Sequence, residues 1–157
     1  MENEKADAVQ AAAQLAKQFH KGQIDKAGKD YFEGHLSSVA NYGENWKEQI
    51  VGYLHDAEDT PHTVSETIHL LQDKCPNIAT KDWEEIETAL NLMNSHTAAN
   101  REAYINRFRN NTLAIRVKLN DLRHNMDISR IPNPTEKDIA RAARYRREYS
   151  QLKKMLE

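Results

Sequence analysis

Hydrophobic residues recur at intervals of three or four along almost the whole chain, and this spacing predicts α-helices rather than strands. The opening segment carries the pattern in Val9, Ala12, Ala16 and Phe19. No run of the sequence alternates apolar and polar residues in the manner of a half-buried strand. The pattern therefore predicts an all-α fold, a single domain over residues 1–157 built as a bundle of about seven to ten helices.

Breaks in the periodicity divide the chain into its predicted helices. The first helix ends at a polar loop over residues 22–28, which begins and ends with glycine. Thr63 with Glu66 has the spacing of a capping box, and Thr135 with Asp138 approaches the same form. The later helices are predicted to begin near Tyr31, Trp46, Thr63, Thr80, Tyr104, Leu113 and Thr135.

One predicted helix combines a buried position with ionisable side chains. The run from Leu113 to Leu119 is nearly all apolar, which predicts a helix buried through the middle of the domain. The predicted helix carries Lys118 within this run and continues through Asp121 and Asn125. Burying such groups costs free energy unless they are paired or bind a cation, so this helix calls for a functional explanation.

Composition indicates which cellular compartment is expected for the protein. The chain of 157 residues has 22 Lys and Arg against 24 Asp and Glu. Its one cysteine, Cys75, excludes an intrachain disulfide and a thiolate metal cluster within one chain, so a reducing cytoplasm is expected. No apolar stretch approaches the roughly 18 residues of a membrane span, so membrane insertion is disfavoured.

Charge is divided unevenly along the sequence. Residues 1–100 contain 8 Lys and Arg against 17 acids, whereas residues 101–157 contain 14 against 7. An acidic part suits a cation and a basic part suits phosphate, although two oppositely charged surfaces can also meet without any ligand. No basic run is interleaved with aromatic residues, so nucleic acid is not an expected partner. The sequence does not indicate an oligomeric state.

Four residues are candidate metal ligands: His35, the adjacent pair His55 and Asp56, and Asp121. The pair ends a segment that reads as a buried helix, where an ionised carboxylate needs a compensating cation or donor network. Two imidazoles and two carboxylates suit Mn²⁺, Fe²⁺, Co²⁺ or Zn²⁺ better than Ca²⁺. A metal held in this way lowers the pKa of a bound water and polarises a phosphoryl oxygen.

Glu58 and Asp59 follow His55 by three and four residues. A continuing helical turn would carry them to the side of the predicted ligands, where they could handle the proton of a reacting water. The alternative interpretation is a solvated acidic turn before Pro61.

Three segments in order resemble one family. "FHKGQIDKAGKDYFEGH" (19–35), "LHDAEDT" (54–60) and "VKLNDLRHNMDISRI" (117–131) are similar to the HD metal-dependent phosphohydrolases, and specifically to the hydrolase domain of the RelA/SpoT-homologue proteins. The ending "RAARYRREY" (141–149) extends the resemblance over most of the chain. The length matches the small, hydrolase-only members.

The resemblance implies an HD-type bundle with a single Mn²⁺ held by the four candidate ligands and with Glu58 and Asp59 as the catalytic acid pair. It further implies removal of the 3′-pyrophosphate of guanosine tetra- or pentaphosphate, which gives GDP or GTP and pyrophosphate. The residues it implies as nucleotide or phosphate contacts are Lys26, Tyr31, Lys118, Asn125, Arg141 and Tyr145.

The sequence departs from the family pattern at four places. The spacing from His55-Asp56 to Glu58-Asp59 is one residue shorter, and an additional residue separates Tyr31 from His35. The usual His-Pro of the family is His35-Leu36 in this chain, and Asp25 stands where an arginine against the base is often found. Two alternatives follow. One is hydrolysis of another nucleotide, such as an adenosine alarmone, a nicotinamide dinucleotide phosphate or a nucleoside monophosphate. The other is a nucleotide-binding module without turnover.

Overall fold

The computed structural model describes residues 2–157 and is all-helical within that range apart from loops and one isolated bridge between Ile24 and Asp30. Eight α-helices follow one another: α1 (Glu2–Phe19), α2 (Ser37–Tyr42), α3 (Trp46–Leu54), α4 (Val64–Lys74), α5 (Thr80–Met93), α6 (Arg101–Asn106), α7 (Thr112–Asn125) and α8 (Glu136–Met155). The predicted all-α fold and its number of helices are confirmed. Within residues 2–157 no helix has the length and apolarity needed to cross a membrane.

Side-chain caps fix where several helices begin. Both predicted capping boxes are present, at Thr63 with Glu66 before α4 and at Thr135 with Asp138 before α8. In each box the threonine oxygen accepts from a backbone N–H of the first turn while the acidic side chain bonds the threonine N–H. Asparagines cap three further helices in the same role, namely α3, α6 and α7.

The observed helices differ in two places from those that the hydrophobic periodicity predicts. The helix predicted over residues 31–42 starts as a π-helical turn, Phe32–Leu36, in which the N–H of Ser37 bonds the carbonyl of Phe32. This wider turn accommodates one more residue than an α-helical turn, which fits the additional residue noted before His35. The expected continuation of α3 through Glu58 is wrong, because α3 ends at Leu54 and a short 3₁₀ turn, Ala57–Asp59, follows.

Helix α7 is the centre of the bundle. It packs against α2, α3, α5 and α8, while α1 covers α3 and α4 from the other side. The predicted burial of α7 is confirmed, because Ile115, Val117 and Leu122 are at most 1% exposed. Lys118, Asp121 and His124 are also buried, on the face that meets the π-helical turn and the end of α3.

Helices α2 and α3 approach each other closely at Gly52. A Cβ placed on Gly52 would lie 2.8 Å from the Cα and 3.0 Å from the backbone nitrogen of Ala40. Because both near atoms belong to backbone, the helices can admit a side chain only by moving apart. The absence of a side chain at Gly52 therefore sets the distance between α2 and α3.

Replacing this glycine tests the packing. We expect Gly52→Ala to lower the free energy of unfolding by roughly 1–3 kcal/mol, the usual cost of overpacking a core. Urea denaturation of the chelated protein measures the change. Ser65→Ala, at an exposed position on α4, is the control and should stay within about 0.5 kcal/mol. An unchanged midpoint for Gly52→Ala would contradict the close approach.

Candidate metal centre and adjoining cavity

Three buried side chains converge at the middle of the bundle. His35 from the π-helical turn, His55 directly after α3 and Asp121 from α7 each direct one potential ligand atom to a common point, and these atoms all lie within 4.8 Å of one another. Asp121 Oδ1 is 3.0 Å from His35 Nε2 and 3.2 Å from His55 Nε2. All three residues are less than 8% exposed.

Asp56 completes the group from its outer side. Its Oδ2 lies 3.2 Å from His55 Nε2 and 3.8 Å from His35 Nε2, and its side chain is 20% exposed. The hydroxyl of Tyr31 donates to the same oxygen. All four predicted ligands are thus brought together, and Asp56 is the one that faces the exterior.

The backbone orients the imidazole of His55. Its Nδ1 lies 2.7 Å from the carbonyl oxygen of Gly52, and because a carbonyl only accepts, Nδ1 carries the donated proton. The remaining nitrogen, Nε2, therefore faces the two carboxylates. Between neutral His55 and carboxylate oxygens, lone pairs would face lone pairs, so this arrangement needs a proton or a metal cation at its centre.

A second histidine supports His35 from behind. The Nδ1 atoms of His35 and His124 are 2.8 Å apart, so one ring donates to the other. Burial and the neighbouring charges of His35 and Arg130 lower the pKa of His124 to about 4, which keeps its imidazole neutral. This contact occupies His35 Nδ1 and leaves His35 Nε2 directed at Asp121.

Two donors from α7 itself hold Asp121 in place. Lys118 Nζ donates to Oδ2 at 2.8 Å, and Asn125 Nδ2 donates to Oδ1 at 3.0 Å. The three residues lie three and four positions apart, which places them on one helical face. The polar residues of this buried helix are thereby accounted for as a candidate ligand and the two side chains that donate hydrogen bonds to it.

The charges of the group stabilise one another against burial. Burial alone would raise the pKa of Asp121, but the charges of Lys118 and His55 hold it well below its usual value. Burial would lower the pKa of His55, but Asp56 and Asp121 raise it well above 6.5. Burial would likewise raise the pKa of Asp56, and His55 holds it low. The carboxylates of Asp56 and Asp121 and the imidazole of His55 therefore stabilise one another's charged forms inside the bundle.

The chemistry of this donor set fits a divalent transition metal. Two imidazole nitrogens and two carboxylate oxygens are a mixed set that suits such cations better than Ca²⁺, which prefers oxygen ligands alone. Replacing the His55 proton by a cation satisfies the lone pairs that face one another at the centre of the group. The cluster could therefore hold a metal ion.

A cavity of about 240 Å³ opens above the cluster. The predicted metal ligands line its floor. The residues that complete its walls are Asp25, Lys26, Tyr31, Met93, Ser95, Arg101, Tyr104, Lys118, Asn125, Arg130 and Tyr145. Five of the six predicted substrate contacts thus lie on this cavity.

The loop between α1 and the π-helical turn brings Lys26 to the cavity. Asp25 anchors the loop, because its Oδ1 accepts from the N–H groups of Ala27 and Lys29. Its Oδ2 lies 3.5 Å from Arg130 Nη1. Lys26 in turn donates to the hydroxyl of Tyr145 on α8 at 3.4 Å, so loop and helix meet at the cavity wall.

Three predicted site residues do not line this cavity. Glu58 Oε1 accepts from the N–H of Val64 and thereby caps α4, while Asp59 Oδ1 lies 2.6 Å from His96 Nε2 near the surface. The 3₁₀ turn after Asp56 directs both side chains away from the cluster. Arg141 lies half-buried on α8, four residues before Tyr145. Their proposed roles stay predictions.

Sequence reasoning missed Arg101 and Arg130 as cavity residues. Arg101 begins α6, a helix for which the sequence offered only an apolar stripe, and Arg130 lies in the connection to α8. The excess of basic residues after position 100 was the only signal for either of them. That signal identifies a region and no particular side chain.

The sequence matches no protein-family model, and none of the curated proteins matches it. The geometry of the site is therefore the basis for a functional interpretation.

Removing the buried partner of Asp121 tests the balance of charges. We expect Lys118→Met to lower the free energy of unfolding of the chelated protein by roughly 3–5 kcal/mol, because a buried carboxylate loses its cation. Urea denaturation measures the loss. Lys21→Met, at an exposed loop position, removes the same charge and should cost less than about 0.5 kcal/mol. Equal effects of the two changes would contradict the assigned pairing.

Metal binding should depend on pH in one direction. The raised pKa of His55 keeps its imidazole protonated at neutral pH, and a metal must displace that proton. We expect the affinity for Mn²⁺ to rise from pH 6 to pH 8, by up to about tenfold per unit for each proton released. Calorimetry in two buffers of different ionisation enthalpy counts the protons. His69→Gln, an exposed change, should keep the slope, and an affinity independent of pH in the parent would contradict the assignment.

Proposed function

We propose that this protein is a Mn²⁺-dependent phosphohydrolase that removes the 3′-pyrophosphate of guanosine tetra- or pentaphosphate. The observation that carries the proposal is a buried His35, His55 and Asp121 cluster at the floor of a cavity with basic walls. The resemblance of residues 19–35, 54–60 and 117–131 to the HD hydrolase domain of RelA/SpoT-homologue proteins supplies the substrate and the metal.

In this proposal His35, His55, Asp56 and Asp121 hold the cation. A divalent transition metal in such a set of ligands supplies Lewis acidity, since it polarises a phosphoryl oxygen and lowers the pKa of water. Tyr31 and Asn125 keep Asp56 and Asp121 in orientation by donating hydrogen bonds to their oxygens. Hydrogen bonds of this kind fix the orientation of the side chains that bind a metal.

The basic wall suits the phosphates of the substrate. Lys26 from the loop is exposed and has no carboxylate partner among the described residues, so its ammonium group is free for phosphate oxygens. Tyr145 beside it offers a ring and a hydroxyl, and the Lys26 ammonium lies 4.9 Å from the ring centroid. A polyphosphate bound here would place cations where negative charge develops during hydrolysis.

Glu58 and Asp59 would manage the proton of the attacking water. The negative charge of Asp59 contributes, after burial, Asp56 and Asp121, to the raised pKa of Tyr31, which lines the cavity. Proton transfer requires the turn that carries Glu58 and Asp59 to move, releasing Val64 and His96. If it does not move, the protein binds nucleotide without turnover, which is the alternative that their observed contacts favour.

A second candidate is hydrolysis of a different nucleotide. Asp25 stands where family members often place an arginine against the base. Its carboxylate accepts hydrogen bonds from the N–H groups of Ala27 and Lys29 and pairs with Arg130. A nucleotide whose base needs no contact at the Asp25 position is therefore also a candidate substrate. Adenosine alarmones, nicotinamide dinucleotide phosphates and nucleoside monophosphates are the alternatives to test.

Hydrolysis of guanosine tetraphosphate with added Mn²⁺, resolved by chromatography beside a nucleotide panel, tests the proposal. We expect GDP and pyrophosphate, and no products after chelation. Asp121→Ala should lose both bound metal and activity, whereas Glu58→Gln should keep the metal and lose turnover. The glutamine retains the oxygen that accepts from Val64, so it isolates the loss of the carboxylate.

Each result has a distinct meaning. Full activity of Glu58→Gln would show that the acid-pair assignment is wrong, and Glu84→Gln on the exposed face of α5 is its matched control. Cleavage of another member of the panel would keep the mechanism and replace the substrate. Absence of cleavage by folded, metal-loaded protein would reject the hydrolase proposal in favour of the binding module.

A further inference from the structure

Arg101 is held at the cavity wall through only one edge of its guanidinium. Its Nε donates to Glu148 Oε2 at 2.7 Å and its Nη2 donates to Glu148 Oε1 at 2.9 Å. Glu148 lies on α8 with a side chain only 6% exposed, so the pair joins α6 to α8 at a fixed distance. This fork uses two of the five N–H groups of the guanidinium.

The other edge of Arg101 remains available. Nη1 and the outer hydrogen of Nη2 have no hydrogen-bond partner among residues 2–157, and Arg101 lines the cavity. The ring centroid of Tyr104 lies 4.9 Å from the guanidinium of Arg101 and 5.2 Å from Lys118 Nζ, so both cations contact the same aromatic ring. Two parallel N–H groups on a held guanidinium match two oxygens of a phosphoryl group.

The charge around Glu148 leaves an excess cation on this wall. Arg144 Nε lies 3.7 Å from Glu148 Oε2, so one carboxylate faces two guanidinium groups. Lys118, by contrast, is paired with Asp121, and Arg130 is paired with Asp25. Arg101 therefore differs from Lys118 and Arg130 in two ways. One edge of its guanidinium has no partner among the described residues, and it shares the single carboxylate of Glu148 with Arg144.

We propose that Arg101 binds a phosphoryl group of the ligand through its outer guanidinium edge and that Glu148 acts as the positioning residue that aims it. This inference rests on the proposed function for the identity of the full substrate, but it stands separately on the contacts of Arg101. The ligand class it requires is a di- or polyphosphate. A single carboxylate ligand would not need both this arginine and Lys26.

Calorimetric titration with inorganic pyrophosphate in metal-free buffer at fixed ionic strength tests the inference. We expect Arg101→Ala to weaken pyrophosphate binding by about tenfold or more, as for loss of a charge-assisted pair. Arg101→Lys keeps the charge, but its single ammonium cannot serve Glu148 and the ligand together, so we expect an intermediate loss. Arg146→Ala, an exposed arginine on α8 outside the cavity, should leave the affinity unchanged.

A second measurement separates binding from folding. Mn²⁺ binding, followed by electron paramagnetic resonance, should be the same in Arg101→Ala as in the parent, because Arg101 does not contact the ligand cluster. Parent-like pyrophosphate affinity in Arg101→Ala, or no detectable binding by the parent, would overturn the inference. Parent-like affinity in Arg101→Lys would overturn the part that concerns the guanidinium edge and Glu148.

The same variants distinguish this inference from the proposed function. If Arg101→Ala loses pyrophosphate affinity but the parent does not hydrolyse guanosine tetraphosphate, the phosphate contact stands and the substrate assignment fails. If the parent hydrolyses guanosine tetraphosphate and Arg101→Ala retains both the KM and pyrophosphate affinity of the parent, the function stands and the inference about Arg101 fails.

Discussion

The structure depends on keeping two carboxylates and two imidazoles together inside an apolar bundle. Asp121 is tolerated in α7 only because Lys118 and Asn125 donate to it and because His35 and His55 face it. The neighbouring elements are arranged to bring those partners in. The π-helical turn supplies His35, and the end of α3 supplies His55, whose ring the Gly52 carbonyl orients. The packing of the helices and the geometry of the candidate metal site therefore depend on the same residues.

The helical fold and the buried cluster of His35, His55 and Asp121 were predictable from the sequence for the same reason. Apolar spacing identified α7 as an interior helix, and ionisable residues at its buried positions were an evident exception to that spacing. Capping boxes at Thr63 and Thr135 depend on neighbouring residues alone, so they too were predictable. These features are local, and local patterns are what a single sequence records.

The features that the sequence did not predict depend on contacts between distant residues. In the turn after Asp56, Glu58 accepts from the N–H of Val64, and Asp59 contacts His96, which lies 37 positions away. Arg101 belongs to the cavity because Glu148, 47 positions later, holds it there. Neither contact follows from spacing, since each is decided by how α4, α6 and α8 pack.

The floor and the walls of the cavity come from partly different elements of the fold. Its floor comes from the π-helical turn, the end of α3 and α7. Helix α7 also supplies Lys118 and Asn125 to the walls, to which the loop around Lys26, α6 and α8 contribute further residues. Lys26 contacts Tyr145 of α8, and Arg101 is held by Glu148 of the same helix. Lys118 and Asn125 donate to Asp121, whereas Lys26, Arg101 and Tyr145 bond to none of the four candidate ligands, so substitutions at these three positions can change the wall during evolution without removing a support of the buried cluster.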